Sequence, residues 1–247
     1  MRIKGSILIV ALTMFGLEIS SDENFDYSSR EDVKEFIQEI SSKHGFDRSK
    51  LFKLLSNAVY QEKVVRIMNR QPEGTMTWSR YKKMMVSESR LSAGEDFINL
   101  YRDELKKAED LYGVPAEIIA SIIGIETRYG RITGNIRVLD SLMTLSFNYP
   151  RRSKFFKVQL EEFLLLSREE GFNPELLEGS IAGAMGYGQF MPDSYRKYAV
   201  DFDSDGVRDI LTNPVDAIGS VANFLNKKGK WKPNTPVAIQ ANVYNRS

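Results

Sequence analysis

A mainly α-helical fold is what this sequence predicts, on three observations. Apolar residues recur at three- and four-residue spacing from Glu31 onward, the breaks between those runs carry helix-cap or Gly/Pro chemistry, and no alternating strand pattern of any length occurs. Val33, Phe36, Ile37 and Ile40, then Leu51, Phe52, Leu54, Leu55 and Val59, mark two amphipathic helices. His44-Gly45-Phe46-Asp47 between them supplies a stop and an Asp or Ser cap, with His44 as a partly exposed loop residue. Gln71-Pro72-Glu73-Gly74 is a breaker, after which Trp78, Tyr81, Met84 and Met85 follow with mixed periodicity. Ser92 with Glu95 three residues on resembles a capping box and predicts a helix through Phe97, Leu100, Tyr101, Leu105 and Leu111. Pro115 opens the next helix, whose Ile118, Ile119, Ile122, Ile123 and Ile125 make it apolar on most sides and so buried, ending at Tyr129-Gly130. Further helices are expected over 139–147, 155–166 and 215–225, with a Gly/Ala-rich stretch from 179 to 191; only 237–240 hints at extended structure.

At 247 residues the chain is long enough for one to two domains and a real core. Its 34 Lys+Arg against 33 Asp+Glu leave a net +1, so no global field exists to hold nucleic acid or an anionic membrane. Zero cysteines and a single histidine remove thiol chemistry, disulfides, Cys-ligated zinc and multi-His metal sites. Chemistry must therefore run on carboxylates, hydroxyls, amides or a hard metal. Arg2 and Lys4 ahead of the apolar run from Ile7 to Leu17 predict an export signal over 1–21, with an uncleaved anchor that tethers the chain to a membrane as the competing reading. Either way the remainder is expected outside the cytoplasm, in the periplasm or cell envelope.

Two segments could carry chemistry. Glu126, near the C-terminal end of the isoleucine-rich helix, meets low dielectric and the negative end of the helix dipole, and both raise its pKa. A carboxylic acid held protonated near neutrality suits proton donation to a glycosidic oxygen. The same residue could equally be paired with Arg128 or Arg131 at a helix end. In 180–192, five Gly or Ala residues permit close backbone approach, while Tyr187, Gln189, Phe190 and Met191 offer flat apolar and amide surfaces; tight helix packing and a ligand cleft both fit.

Glu126-Thr127-Arg128-Tyr129-Gly130, Leu145-Ser146-Phe147-Asn148-Tyr149-Pro150-Arg151-Arg152, Gly183-Ala184-Met185-Gly186-Tyr187-Gly188-Gln189-Phe190-Met191-Pro192 and Asn213-Pro214-Val215-Asp216-Ala217-Ile218-Gly219 together resemble the membrane-bound lytic murein transglycosylase B family, in family order from about Trp78 to Trp231. The resemblance implies a lysozyme-like helical core over 96–231 behind an N-terminal helical segment over 22–95. It also implies cleavage of the β-1,4 bond between N-acetylmuramic acid and N-acetylglucosamine in peptidoglycan, with a 1,6-anhydro ring in place of hydrolysis. It places Glu126 at the single catalytic acid/base. By the same resemblance Ser180, Tyr187 and Gln189 line the cleft, Tyr81 flanks the acid, and Arg151 and Arg152 hold peptide or muramyl carboxylates.

Counting Asp201 as position 1, oxygen side chains fall at 1, 3, 5 and 9, with Gly206 at position 6 and the Val207 carbonyl at 7, the first two-thirds of an EF-hand-like calcium loop. Thr212 breaks the pattern at position 12, so Asp216 is the candidate closing ligand beside Asp201, Asp203, Asp205 and Val207. The calcium would be structural. Tyr244-Asn245-Arg246-Ser247 resembles a motif that relatives carry much later in the chain and return to the cleft. Either the region that relatives carry in between is absent or the four-residue likeness is accidental; in both cases 232–247 is expected to be a truncated extended tail, with one wall of the cleft open and activity weak or lost. Two competing readings follow: a non-catalytic glycan-binding remnant of the same fold, or a calcium-binding helical interaction protein.

Overall fold

The structure is a computed structural model and describes residues 25–69 and 77–234. The export or anchor segment over 1–21, Tyr244, Asn245 and the expected extended stretch over 237–240 lie outside the described residues.

The helices are α1 (Glu31–His44), α2 (Arg48–Ser56), α3 (Glu62–Asn69), α4 (Trp78–Met85), α5 (Glu88–Leu100), α6 (Arg102–Tyr112), α7 (Ala116–Thr127), α8 (Val138–Asn148), α9 (Ser153–Glu169), α10 (Pro192–Tyr198) and α11 (Pro214–Lys227). A two-residue antiparallel pair, β1 (Ile136–Arg137) with β2 (Glu178–Gly179), sets Ile136 opposite Gly179. At the centre, α8 buries every side chain from 138 to 147 and packs along α9. A helix buried all round satisfies most of its polar side chains internally, and on α8 Ser146 Oγ alone lacks a partner among the described residues. Asp140 accepts from Val59 N at 2.8 Å and from Arg137 at 2.6 Å, and Thr144 accepts from Gln61 N at 3.0 Å. These bonds lash the chain between α2 and α3 onto the core, and the apolar interior runs unbroken from Tyr27 to Ala222.

Most predicted helices are present, with three corrections. The helix expected to start at Ser92 begins at Glu88 behind Ser87, and its added first turn reaches α7 through Arg90, whose guanidinium donates to the Gly124 carbonyl at 3.5 Å. It then breaks at Tyr101, where φ −110° and ψ 34° leave the helical region, so one predicted helix is two. His44 ends α1 rather than sitting in a loop: its Nε2 lies 2.7 Å from Glu161 Oε1, which Lys43 also reaches at 2.7 Å, joining α1 to α9.

Helix α7 also departs from expectation. Ile119, Ala120, Ile123, Gly124 and Thr127 are buried, but Ile118 and Ile122 are only half-buried, Ile125 is 47% exposed and Glu126 is exposed. At 100° per residue, Ile118, Ile122, Ile125 and Glu126 share an arc of about 100°. One face of the isoleucine-rich helix is therefore an open apolar strip ending in the acid.

Candidate active site

Three consecutive left-handed residues follow Thr127: Arg128 at φ 51°, Tyr129 at 60° and Gly130 at 82°. Two of them are not glycine and cost conformational energy there, so tertiary packing must hold them. The Tyr129 ring provides that packing. Its hydroxyl lodges between α5 and α7, where a Cβ on Gly94 would lie 2.6 Å from it and one on Gly124 2.5 Å. Glycine at both positions is what lets the ring in. The sharp stop sends the chain through 131–135 into β1, and the β1–β2 pair brings the 180–191 loop alongside the end of α7.

That loop is tied internally. Met185 and Phe190 exchange both backbone bonds at 2.9 Å, and Gln189 takes φ 49° at the turn. Ser180 Oγ accepts from Ala182 N at 3.3 Å and Ala184 N at 3.1 Å, which leaves its hydroxyl hydrogen as a donor. Gln189 Nε2 donates to the carbonyls of Thr133 at 3.0 Å and Gly186 at 3.1 Å, which commits both amide hydrogens and leaves its carbonyl oxygen as an acceptor. Tyr187 lays its ring on Gly130, and burial pushes its phenol pKa up. Ser180, Tyr187 and Gln189 are thus gathered in one loop that reaches the end of α7 through Tyr187.

Glu126 makes no hydrogen bond or ion pair among the described residues, so the pairing with Arg128 or Arg131 that the sequence allowed is not formed. Its carboxyl pKa is pushed above the usual value by desolvation alone. The group is open on one side while protein on the other removes water, so Glu126 does not share the burial expected of its helix, yet its shift has the expected direction. A groove of about 360 Å³ between α5 and α7, lined by Arg90, Gly94, Glu117, Ala120, Ser121 and Ile125 among others, does not include Glu126.

Tyr81 stacks on Trp78, centroids 6.0 Å apart, on α4, which buries no side chain; no hydrogen bond joins Tyr81 to α7 among the described residues. Arg151 and Arg152 form an exposed 3-10 turn after α8, with the Arg152 guanidinium 4.1 Å above the Phe155 ring and no carboxylate partner among the described residues. In the acidic loop, Asp201, Asp203 and Asp216 bring carboxylate oxygens within 4.8 Å of one another. Asp205 is not one of that group; its carboxylate caps Val207 N at 2.8 Å. Asp216, fully buried, accepts from Phe202 N and Asp209 N, each at 2.7 Å, and its pKa is raised chiefly by burial. Three converging carboxylate groups, one of them buried and none with a cationic partner among the described residues, form a donor set that suits a hard cation.

The family model described as the transglycosylase SLT domain matches residues 28–247. The membrane-bound lytic murein transglycosylase B of Escherichia coli (strain K12) is 47% identical over 226 residues, which is 88% of this chain and 62% of that protein, so this chain spans less than two thirds of that relative. The catenated lytic transglycosylase SltB1 from Pseudomonas aeruginosa superposes with a TM-score of 0.83 at 46% identity, covering 86% of this chain and 69% of that one. The Escherichia coli lytic transglycosylase Slt35, solved in complex with calcium, gives a TM-score of 0.78 at 48% identity, covering 86% of this chain and 66% of that one. The mainly helical, lysozyme-like architecture is therefore shared with lytic transglycosylases. On its sequence and on its fold, the chain belongs to the transglycosylase SLT domain family.

Proposed function

We propose that this chain cleaves the glycan strands of peptidoglycan as a lytic transglycosylase, with Glu126 as the only acid/base. The observation that carries this reading is a carboxyl with a raised pKa and no partner among the described residues, at the end of a half-exposed apolar strip. Burial is the sole cause of the shift, and no neighbouring carboxylate contributes to it. A nucleophile at the about 5 Å separation of a retaining hydrolase would add repulsion. The supported sequence is that Glu126 gives its proton to the leaving glycosidic oxygen as the bond to C1 breaks. The muramyl N-acetyl group steadies the positive centre, and the sugar's own 6-hydroxyl then attacks C1 while returning a proton to the Glu126 carboxylate. No water is consumed, and the enzyme ends as it began.

Ser180 with one donor and Gln189 with one acceptor fit hydroxyl and acetamido groups of the sugars, and Tyr187 offers a ring face. Arg151 and Arg152 fit peptide or muramyl carboxylates, Tyr81 is the aromatic that flanks the acid, and Tyr244 and Asn245 keep their resemblance-based place at the cleft. The chain acts outside the cytoplasm, tethered or released through 1–21, with 22–95 bracing the catalytic core over 96–231. Mass spectrometry of the products from purified sacculi tests the activity. Soluble anhydromuramyl ends support it; reducing ends would mean hydrolysis, and binding without release would mean a glycan-binding remnant.

Calcium is the cation the acidic loop fits best, held by Asp201, Asp203 and Asp216, with Asp205 and the Val207 carbonyl joining on binding. Its contribution there is structural, pinning the loop to the start of α11. Saturating calcium at about 100 times its dissociation constant adds about 2.7 kcal/mol to stability, which should raise Tm by several degrees at this chain length. The chelator EGTA should reverse that rise, and Asp203→Asn should abolish it. A Tm indifferent to both calcium and EGTA would leave the loop as an acidic turn.

A further inference from the structure

We propose that Thr127, next to the acid, is a positioning residue whose hydroxyl locks Glu126 to the loop that receives the sugar; this rests on the transglycosylase reading of Glu126. Thr127 is fully buried, although its neighbours in sequence on both sides are exposed. Its Oγ1 accepts from Gly130 N at 2.9 Å, fixing the left-handed stop of α7. The same oxygen lies 2.9 Å from the Tyr187 carbonyl and 3.1 Å from the Ile123 carbonyl. One hydroxyl hydrogen can serve only one of these at a time, and the bond to Tyr187 is the shorter.

The consequence is geometric. The acid sits one residue from a side chain that grips the loop carrying Tyr187 and Gln189, so this oxygen, together with the Tyr187 ring packed on Gly130, sets the distance from proton donor to bound sugar. Other bonds hold the loop itself: Tyr187 N to Ile210 O at 3.1 Å, Gln189 to Thr133 and Gly186, and the Met185–Phe190 pair. Removing the Thr127 hydroxyl should therefore release the end of α7 while leaving the sugar loop largely in place. Misplacing a general acid by a fraction of a bond length lowers turnover more than binding.

The test compares Thr127→Val, which keeps the shape and removes the hydroxyl, with Thr127→Ser, which keeps the hydroxyl and removes a methyl. On soluble uncross-linked glycan strands, Val should lower kcat at least about tenfold with KM within about threefold, and Ser should stay within about threefold of the parent in both. The basic limb of the pH–rate profile should also move down in the Val variant, as a loosened helix end lets water reach the carboxyl. Should Val fail to fold, Ser against Thr127→Ala, assayed where both are folded, isolates the same hydroxyl.

Equal losses in the hydroxyl-bearing and hydroxyl-free variants, or a kcat unchanged without the hydroxyl, overturn the positioning role. Failure of the underlying reading looks different: the parent chain then makes no anhydromuramyl product and Glu126→Gln changes nothing.

Discussion

Glu126→Gln should eliminate anhydromuramyl release, with turnover falling about 10² to 10⁴-fold, the range one general acid/base contributes. The amide keeps the size of the side chain but can neither give a proton to the leaving oxygen nor take one from the 6-hydroxyl, so both halves of the reaction lose their catalyst. The fold should not suffer, since Glu126 is exposed and without a partner among the described residues. The direction of its pKa shift makes that statement sharper. A carboxyl whose pKa is higher folded than unfolded binds its proton more tightly in the native state, so its contribution to stability declines as pH rises through that interval. At neutral pH the charge-free Gln should accordingly leave Tm equal to the parent's or above it. For activity the competent form is protonated, so the parent's rate should fall with rising pH at a value above the ordinary carboxylate range. Mass spectrometry of sacculus digests, pH–rate profiles and thermal melts check the three parts. A variant within tenfold of the parent would remove Glu126 from the chemistry.

What the sequence made legible at the candidate site is local. Glu126 sits in an apolar run whose spacing announces a helix, and the Asp201-to-Asp209 spacing announces a turn rich in oxygen donors. Which face of α7 stays open was not legible, since five isoleucines in one run look buried on all sides until neighbouring helices are placed. The left-handed Arg128 and Tyr129 were also hidden. Nothing in an Arg-Tyr pair demands positive φ, and only Gly94 on another helix, with Gly124, opens the slot that the Tyr129 ring fills. Thr127 was read as part of a motif, not as a buried hydroxyl, because its partner Tyr187 lies 60 residues away in sequence. The capping-box pattern at Ser92 misled for the opposite reason: a local signal was overridden by the need to pack α5 against α7 from Glu88 onward.

Gly130→Ala is expected to be a strongly damaging small substitution beside the acid. At φ 82° an alanine carries a left-handed cost of about 1–2 kcal/mol. Its Cβ would also stand 2.2 Å from Tyr187 Cε1 and 2.4 Å from Cζ, so the ring must leave. Overpacking of that kind adds about 1–3 kcal/mol. Moving Tyr187 further disturbs the carbonyl that Thr127 grips, so kcat should fall at least tenfold at temperatures where the variant is folded. Gly171→Ala separates the two terms. Gly171 has a similar φ of 70° and nothing within 4 Å of the new Cβ, so it reports the backbone cost alone and should leave activity untouched. A Tm loss at Gly130→Ala exceeding that at Gly171→Ala measures the collision with Tyr187. If the two variants melt together and both retain full turnover, the contact between Gly130 and the Tyr187 ring contributes neither stability nor alignment of the acid.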